Sequence, residues 1–155
     1  MTIEDDIAFL EGVPLFKRLG TSALRILAIG TESYSVRRDE VLFSPGESAD
    51  CAYVVQQGSF TLTPERQDEP ESIAESGALL GESALLVESR RLETATAREE
   101  SIVLRISRAM FLKMLESNPE AAQRLREMFA ARAEQSARDM EKIRERLARG
   151  TGPQS

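Results

Sequence analysis

Gly81-Glu82-Ser83-Ala84-Leu85-Leu86, with Arg91 following ten residues after the first glycine, is the stretch on which the reading of this chain turns. A glycine followed by an acid, two small residues and two leucines predicts a tight turn opening into one or two turns of helix. Free N–H groups at the start of such a helix, beside a glycine that permits close approach, suit an anion. An arginine on a following strand supplies a planar, two-pronged donor for a phosphate. Glu82, one residue into the turn, is placed to accept a hydrogen bond from a sugar hydroxyl near that phosphate. Phosphate plus ribose is a nucleotide. Arg90 adjoins Arg91 and takes over as phosphate partner if the loop is shifted by one residue.

Outward from this stretch the chain reads as β. Short runs rich in β-branched and aromatic residues are predicted at Ser33 to Arg37, Val41 to Phe43, Ala52 to Gln56, Phe60 to Pro64, Ser72 to Ala74, Thr94 to Ala97 and Ile102 to Ile106. Turn signals recurring between such runs indicate a sandwich or barrel. Ser44-Pro45-Gly46 and Gln56-Gln57-Gly58-Ser59 place glycine where a tight turn needs positive φ, and Arg66 to Glu71 is polar throughout, as an exposed loop would be. Tyr53 and Phe60 read as core residues of a hairpin, and Cys51 as packed near a turn. Before the strands, Asp6 to Leu10 and a segment capped by Thr21 or Ser22 and stopped by Gly30 read as short helices. After them, Arg108 to Glu116 is helical. Asn118 is predicted to cap, and Pro119 to begin, a long helix running from Glu120 to about Arg149.

At the quoted residues the chain resembles the cyclic-nucleotide-binding domains of the catabolite activator protein, the protein kinase A regulatory subunits and bacterial cyclic-nucleotide-gated channels. The resemblance extends over about residues 8–135 and includes Pro14-Leu15-Phe16, Val41-Leu42-Phe43, Gly46, Ala49-Asp50 and Tyr53-Val54-Val55-Gln56-Gln57-Gly58. It is strongest at Gly81 to Leu86, which looks like the family's phosphate-binding cassette. It implies a β-roll, a jelly-roll-like double-stranded barrel, with N-terminal helices and a long C-terminal helix. It further implies that Gly81 opens the cassette, that Glu82 meets the ribose 2′-hydroxyl, that the backbone N–H groups of Ser83 and Ala84 meet the cyclic phosphate, and that Arg91 pairs with its charge. Cyclic AMP is the ligand expected first and cyclic GMP second.

One departure stands out. The family's pattern continues after the arginine with two small residues and then Thr or Val, whereas here the run is Arg91-Leu92-Glu93-Thr94. In a strand, Glu93 shares a face with Arg91, where a carboxylate either pairs with that arginine or repels the ligand. Two unit charges about 4 Å apart interact by roughly 4 kcal/mol at an effective dielectric near 20, about a thousandfold in affinity. The alternative to a sensor is therefore a ligand-independent scaffold of the same fold, with its pocket blocked at Leu92 and Glu93.

Composition narrows the chemistry. The 155 residues include no histidine and one cysteine, Cys51, which removes most zinc sites and the Ser-His-Asp and Cys-His mechanisms. No paired-acid motif suggests a carboxylate hydrolase, so no enzyme and no metal are expected. The acidic start, Met1 to Asp6, is unlike an export signal, and no apolar run has the length to span a membrane. A cytoplasmic setting is expected, consistent with a lone cysteine. Residues 1–120 carry 12 Lys and Arg against 21 Asp and Glu, and residues 121–155 carry 8 against 5. The tail's basic residues alternate with acids, so direct DNA binding is not expected.

In the last helix Phe129, Ala133, Ser136, Met140, Ile143 and Leu147 recur at alternating spacings of four and three, a stripe of near-heptad period. Such a stripe predicts a homodimer or a protein partner, unless the helix folds back on its own domain. The domain organisation expected is a sensor over residues 1–119, a lid or dimerisation helix over 120–149 and a disordered end over 150–155.

Overall fold

In the computed structural model, which describes residues 2–150, every sequence-predicted strand forms to within one residue at each end. In chain order the elements are α1 (Ile3–Glu11), a 3-10 turn (Pro14–Phe16) and α2 (Thr21–Gly30). There follow β1 (Glu32–Val36), β2 (Val41–Phe43), β3 (Ser48–Ala49), β4 (Cys51–Gln57), β5 (Ser59–Pro64), β6 (Ser72–Glu75) and β7 (Leu79–Leu80). A second 3-10 turn (Glu82–Leu85) precedes β8 (Ser89–Arg90), β9 (Glu93–Ala97) and β10 (Ser101–Ser107), and α3 (Arg108–Ser117) and α4 (Pro119–Gly150) complete the chain. The strands that sequence reading missed are β3, β7 and β8, each two residues long and too short to show a period of two.

Two antiparallel four-stranded sheets, ordered β1-β10-β4-β7 and β2-β9-β5-β6, face one another as a β-roll, and β3 pairs with β8 as a separate ribbon. The centre of the first sheet is buried on both sides. Val55 of β4 and Val103 of β10 point into the roll beside Phe43, Phe60, Ala95 and Ala97, while Val54, Leu104 and Ile106 point outward against the helices. On that outer side Phe16 and Phe111 are fully buried, with ring centroids 6.1 Å apart, among Leu10, Leu24, Leu27, Met114 and Leu125. Burying a side chain of that size contributes about 1.5–3 kcal/mol. This second core fixes α3 and the start of α4 against the roll.

Several helix ends differ from expectation. α1 starts at Ile3, ahead of the predicted Asp6, because a capping box forms: Thr2 Oγ1 accepts from the Asp5 N–H at 3.2 Å and the Asp5 carboxylate accepts from the Thr2 N–H at 3.1 Å. That hydrogen bond and its partner hold the Asp5 carboxyl below its ordinary range. The cap of α2 is neither Thr21 nor Ser22 but Gly20, whose φ of +93° turns the chain out of buried Leu19 without a side-chain cap. Asn118 serves the preceding helix, its Nδ2 donating to the Met114 carbonyl at 3.0 Å, while its backbone carbonyl accepts from Ala122. α4 includes Gly150, one residue into the segment expected to be disordered; residues 151–155 lie outside the described residues.

Candidate functional site

Gly81 lies in the left-handed region at φ +76°, and it opens a single 3-10 turn, Glu82–Leu85, anchored by buried Ala84 and Leu85. The turn uses up one of the donors expected to face a ligand: the Ala84 N–H donates to the Gly81 carbonyl at 3.1 Å. No described hydrogen bond uses the Ser83 N–H. The Ser83 carbonyl accepts from the Leu86 and Val87 N–H groups at 3.3 and 3.2 Å, which closes the turn.

Arg91 sits beneath this turn and is only 6% exposed. Its backbone is clamped on both sides, since its N–H donates to the Glu47 carbonyl at 2.9 Å and its carbonyl accepts from Gly46 at 2.9 Å. Its guanidinium carbon lies 4.4 Å from the centroid of Phe43 and 5.6 Å from that of Tyr53, and those two rings are stacked on each other. Nη2 donates to the Cys51 carbonyl at 2.8 Å and lies 3.4 Å from Cys51 Sγ. Nη1 is fully buried and has no hydrogen-bond partner. It occupies the space that a Cβ on residue 81 would fill, so the glycine both adopts the turn and makes room for the guanidinium. A buried, unpaired donor costs about 1–3 kcal/mol, more when charged. A ligand that accepts from such a group relieves that cost. Tyr53, pushed up to about 12 mainly by burial, is a neutral platform at physiological pH.

The two arginines of the run take separate duties. Arg90 is exposed and spends Nη1 on the Gly46 carbonyl at 2.8 Å. Beside Arg91 the residues leave a cavity of about 380 Å³ whose walls include Phe43, Gly81, Glu82, Ser83, Arg90, Leu92 and Glu93. That volume lies within the range of about 300–1,000 Å³ for small-molecule sites. Leu92 is 75% exposed at the rim and does not fill the cavity. Glu93 shares no ion pair with Arg91 among the described residues. Burial, and secondarily the charge of Glu69, which lines the same cavity, push its carboxyl above the ordinary carboxylate range.

A raised carboxyl value means that the folded chain holds the Glu93 proton more tightly than the unfolded chain does. The ionised form thus weakens the fold, and stability falls as pH rises from the unfolded to the raised folded value. Glu93→Gln should raise the melting temperature at pH 7, by about 1–2 °C given the group's partial exposure. The gain should vanish below the ordinary carboxylate range. Thermal melts from pH 3 to 8 check this, and a variant equally destabilised at all pH values would contradict it.

Glu82 meets a partner that sequence spacing could not reveal. Arg132, fifty residues away on α4, donates from Nη1 to Glu82 Oε1 at 2.6 Å, with its guanidinium carbon 5.5 Å from the Phe129 centroid. On the other flank an apolar hollow of about 480 Å³ is lined by Ser83, Leu86, Val87 and Phe129. Beyond Phe129 the stripe residues Met140, Ile143 and Leu147 are at least half exposed and do not fold back on the roll.

The structure thus gathers Gly81, Glu82, Ser83 and Arg91 about one cavity and places Ala84 beneath it as an anchor. Sequence reading missed Phe43, Tyr53, Cys51, Glu69 and Arg132. For the first two the signal was an aromatic on each of two strands, β2 and β4, which belong to opposite sheets; the others left none, because packing of segments distant in the chain brings them in. No cluster of three or more metal-ligating side chains occurs among the described residues, and no described helix is long and apolar enough to cross a membrane.

Residues 34–118 match the family described as cyclic nucleotide-binding domain. A solved cyclic nucleotide-binding-like protein from Brucella abortus is 43% identical, with a TM-score of 0.63, over 72% of this chain and 98% of that one. An uncharacterized NTE family protein of Mycobacterium tuberculosis is 31% identical over 71% of this chain and 19% of its own length. The cAMP-dependent protein kinase regulatory subunit of Yarrowia lipolytica is 28% identical over 69% of this chain and 28% of its own. The chain therefore spans about a fifth of the one curated relative and somewhat more than a quarter of the other.

Proposed function

The chain belongs to the cyclic nucleotide-binding domain family, and on that premise we propose that the cavity beside Arg91 takes the cyclic phosphate of a cyclic nucleotide and that α4 responds to its arrival. The observation that carries this reading is the buried, unpartnered Nη1 of Arg91, held against Gly81 by Phe43, Tyr53 and Cys51. The phosphate satisfies Nη1 and the Ser83 N–H, and a ribose hydroxyl donates to Glu82. Phosphate and ribose are common to cyclic AMP and cyclic GMP, so this half of the site does not choose between them; the name of the Yarrowia relative supports cyclic AMP. The role is regulatory binding in the cytoplasm, with no bond made or broken.

Glu82 links the ligand to the helix, since a ribose hydroxyl on its carboxylate shares or displaces Arg132. Both side chains are partly exposed, at 38% and 48%. A pair in that setting is worth about 0–1 kcal/mol, so the ion pair alone shifts helix populations by about fivefold at most. Larger shifts draw on the apolar contact of Phe129 with the cassette. In this reading residues 1–119 sense and 120–149 transmit.

The output is pairing of α4 with a second copy. With Ala133, Met140 and Leu147 at a positions and Phe129, Ser136 and Ile143 at d, Asp139 falls at g and Arg144 at e. A parallel pair of helices therefore sets Asp139 opposite Arg144 of the second copy, twice by symmetry.

Calorimetric titration of the full chain with cyclic AMP and cyclic GMP, alongside sedimentation, tests the whole reading. Saturable heat, a raised melting temperature and the mass of a dimer are expected, with Arg132→Ala changing affinity by no more than about fivefold. No heat and no thermal shift at millimolar nucleotide would remove the sensor role.

A further inference from the structure

The cavity beside Arg91 has two poles. Arg91 makes the positive one. The other is Glu93 with Glu69, which line the same cavity; burial first, and the neighbouring Glu69 second, make the Glu93 carboxyl harder to ionise. Glu93 has the parity of Ala95 and Ala97 in β9, both buried in the roll, so its side chain is directed inward. Its cross-strand partner is Pro64, which also lines the cavity. Among the described residues no donor lies within hydrogen-bond distance of either carboxylate. A part-buried carboxylate without a donor is unfavourable, and a ligand that donates to it relieves the cost. Glu93 stands two residues, roughly 7 Å along an extended chain, from Arg91. That is the scale separating the phosphate of a nucleotide from its base.

We propose that Glu93, flanked by Glu69, reads the base of the cyclic nucleotide and selects guanine over adenine, against the cyclic AMP that the relative's name suggests. This rests on the cyclic-nucleotide reading of the same cavity. A carboxylate only accepts hydrogen bonds. The Watson–Crick edge of guanine presents N1–H and N2–H₂, two adjacent donors for two oxygens. The same edge of adenine offers one donor, N6–H₂, and an N1 lone pair that would face the second oxygen. Guanine gains two charge-assisted bonds where adenine gains one and meets a repulsion. The remaining charged groups of the cavity do not compensate: Arg90 is engaged with Gly46, and Glu82 with Arg132. Leu92 at the rim offers adenine apolar contact without a polar partner.

Calorimetric titration of the full chain with cyclic GMP, cyclic IMP and cyclic AMP tests the proposal. Inosine keeps N1–H and lacks the 2-amino group. The expected order is cyclic GMP tightest, cyclic IMP between and cyclic AMP weakest, with at least about tenfold between the extremes. Glu93→Gln should bring cyclic GMP to within about threefold of cyclic AMP, and Glu69→Gln should narrow the gap less. Cyclic AMP binding as tightly as cyclic GMP to the parent chain would overturn the base assignment and leave the phosphate site standing. Binding of none of the three would overturn both. The order of the three ligands on the parent chain decides the matter without recourse to any variant.

Discussion

Arg91→Ala should abolish high-affinity cyclic nucleotide binding, with a loss of about a hundredfold or more. The guanidinium offers a buried, desolvated charge to the phosphate, and hydrogen bonds to charged groups are worth about 1.5–3 kcal/mol each. The effect on stability should be smaller. Truncation removes stacking on Phe43 and Tyr53 and strands the Cys51 carbonyl, but it also removes a buried charge with an unpaired N–H. Those terms oppose each other, leaving a net loss of about 0–2 kcal/mol. Arg91→Lys separates charge from geometry. It keeps the cation but loses the flat fork that both stacks and reaches two acceptors, and it should still cost at least about tenfold in affinity. Calorimetry and thermal melts on the two variants give both numbers. Binding by Arg91→Ala within about threefold of the parent would show that the phosphate sits elsewhere, with Arg90 as the group to test next.

Gly81→Ala should damage fold and site together. At φ +76° a Cβ costs about 1–2 kcal/mol in backbone strain alone. Here the Cβ would also overlap Arg91 Nη1, the end of a side chain with no room to retreat between two rings and the Cys51 carbonyl. The combined loss should be about 2–3 kcal/mol, or roughly 5–10 °C in melting temperature for a chain of this size. Nucleotide affinity should fall as the guanidinium is displaced. Gly46→Ala and Gly77→Ala provide the control, because their φ values of +87° and +93° are just as strained but a Cβ at either meets nothing within 4 Å. They should lose only the backbone term and keep the site intact. If all three variants melt alike, the close approach of Arg91 to residue 81 contributes nothing.

Both predictions depend on contacts that no local pattern announces. The glycine turn, the cassette and the arginine ten residues on were legible because each is a local device: positive φ needs glycine, and a tight turn needs small residues. The seven longer strands were legible for a related reason, since β4 and β10 bury both faces and carry near-continuous apolar runs. What Glu93 does was not legible. Strand parity put it on the Arg91 face, which suggested an ion pair or a clash. The structure instead turns it to a wall shared with Pro64 and Glu69, and Glu69 comes from a loop more than twenty residues earlier in the chain.

The sequence by itself determined that the chain is a β sandwich or barrel flanked by helices and that histidine is absent; its resemblance to a known family implied the β-roll and the cassette at Gly81 to Leu86. The first two follow from periodicity, turn chemistry and composition, which act over a few residues at a time. The tertiary structure alone decided that Arg91 is buried with one donor unpaired, that Glu82 is bound to Arg132 fifty residues away, and that the stripe of α4 beyond Phe129 stays uncovered. Each of these depends on which surfaces remain after the two cores are filled, and burial and charge pairing at long range are settled only when the whole chain has packed.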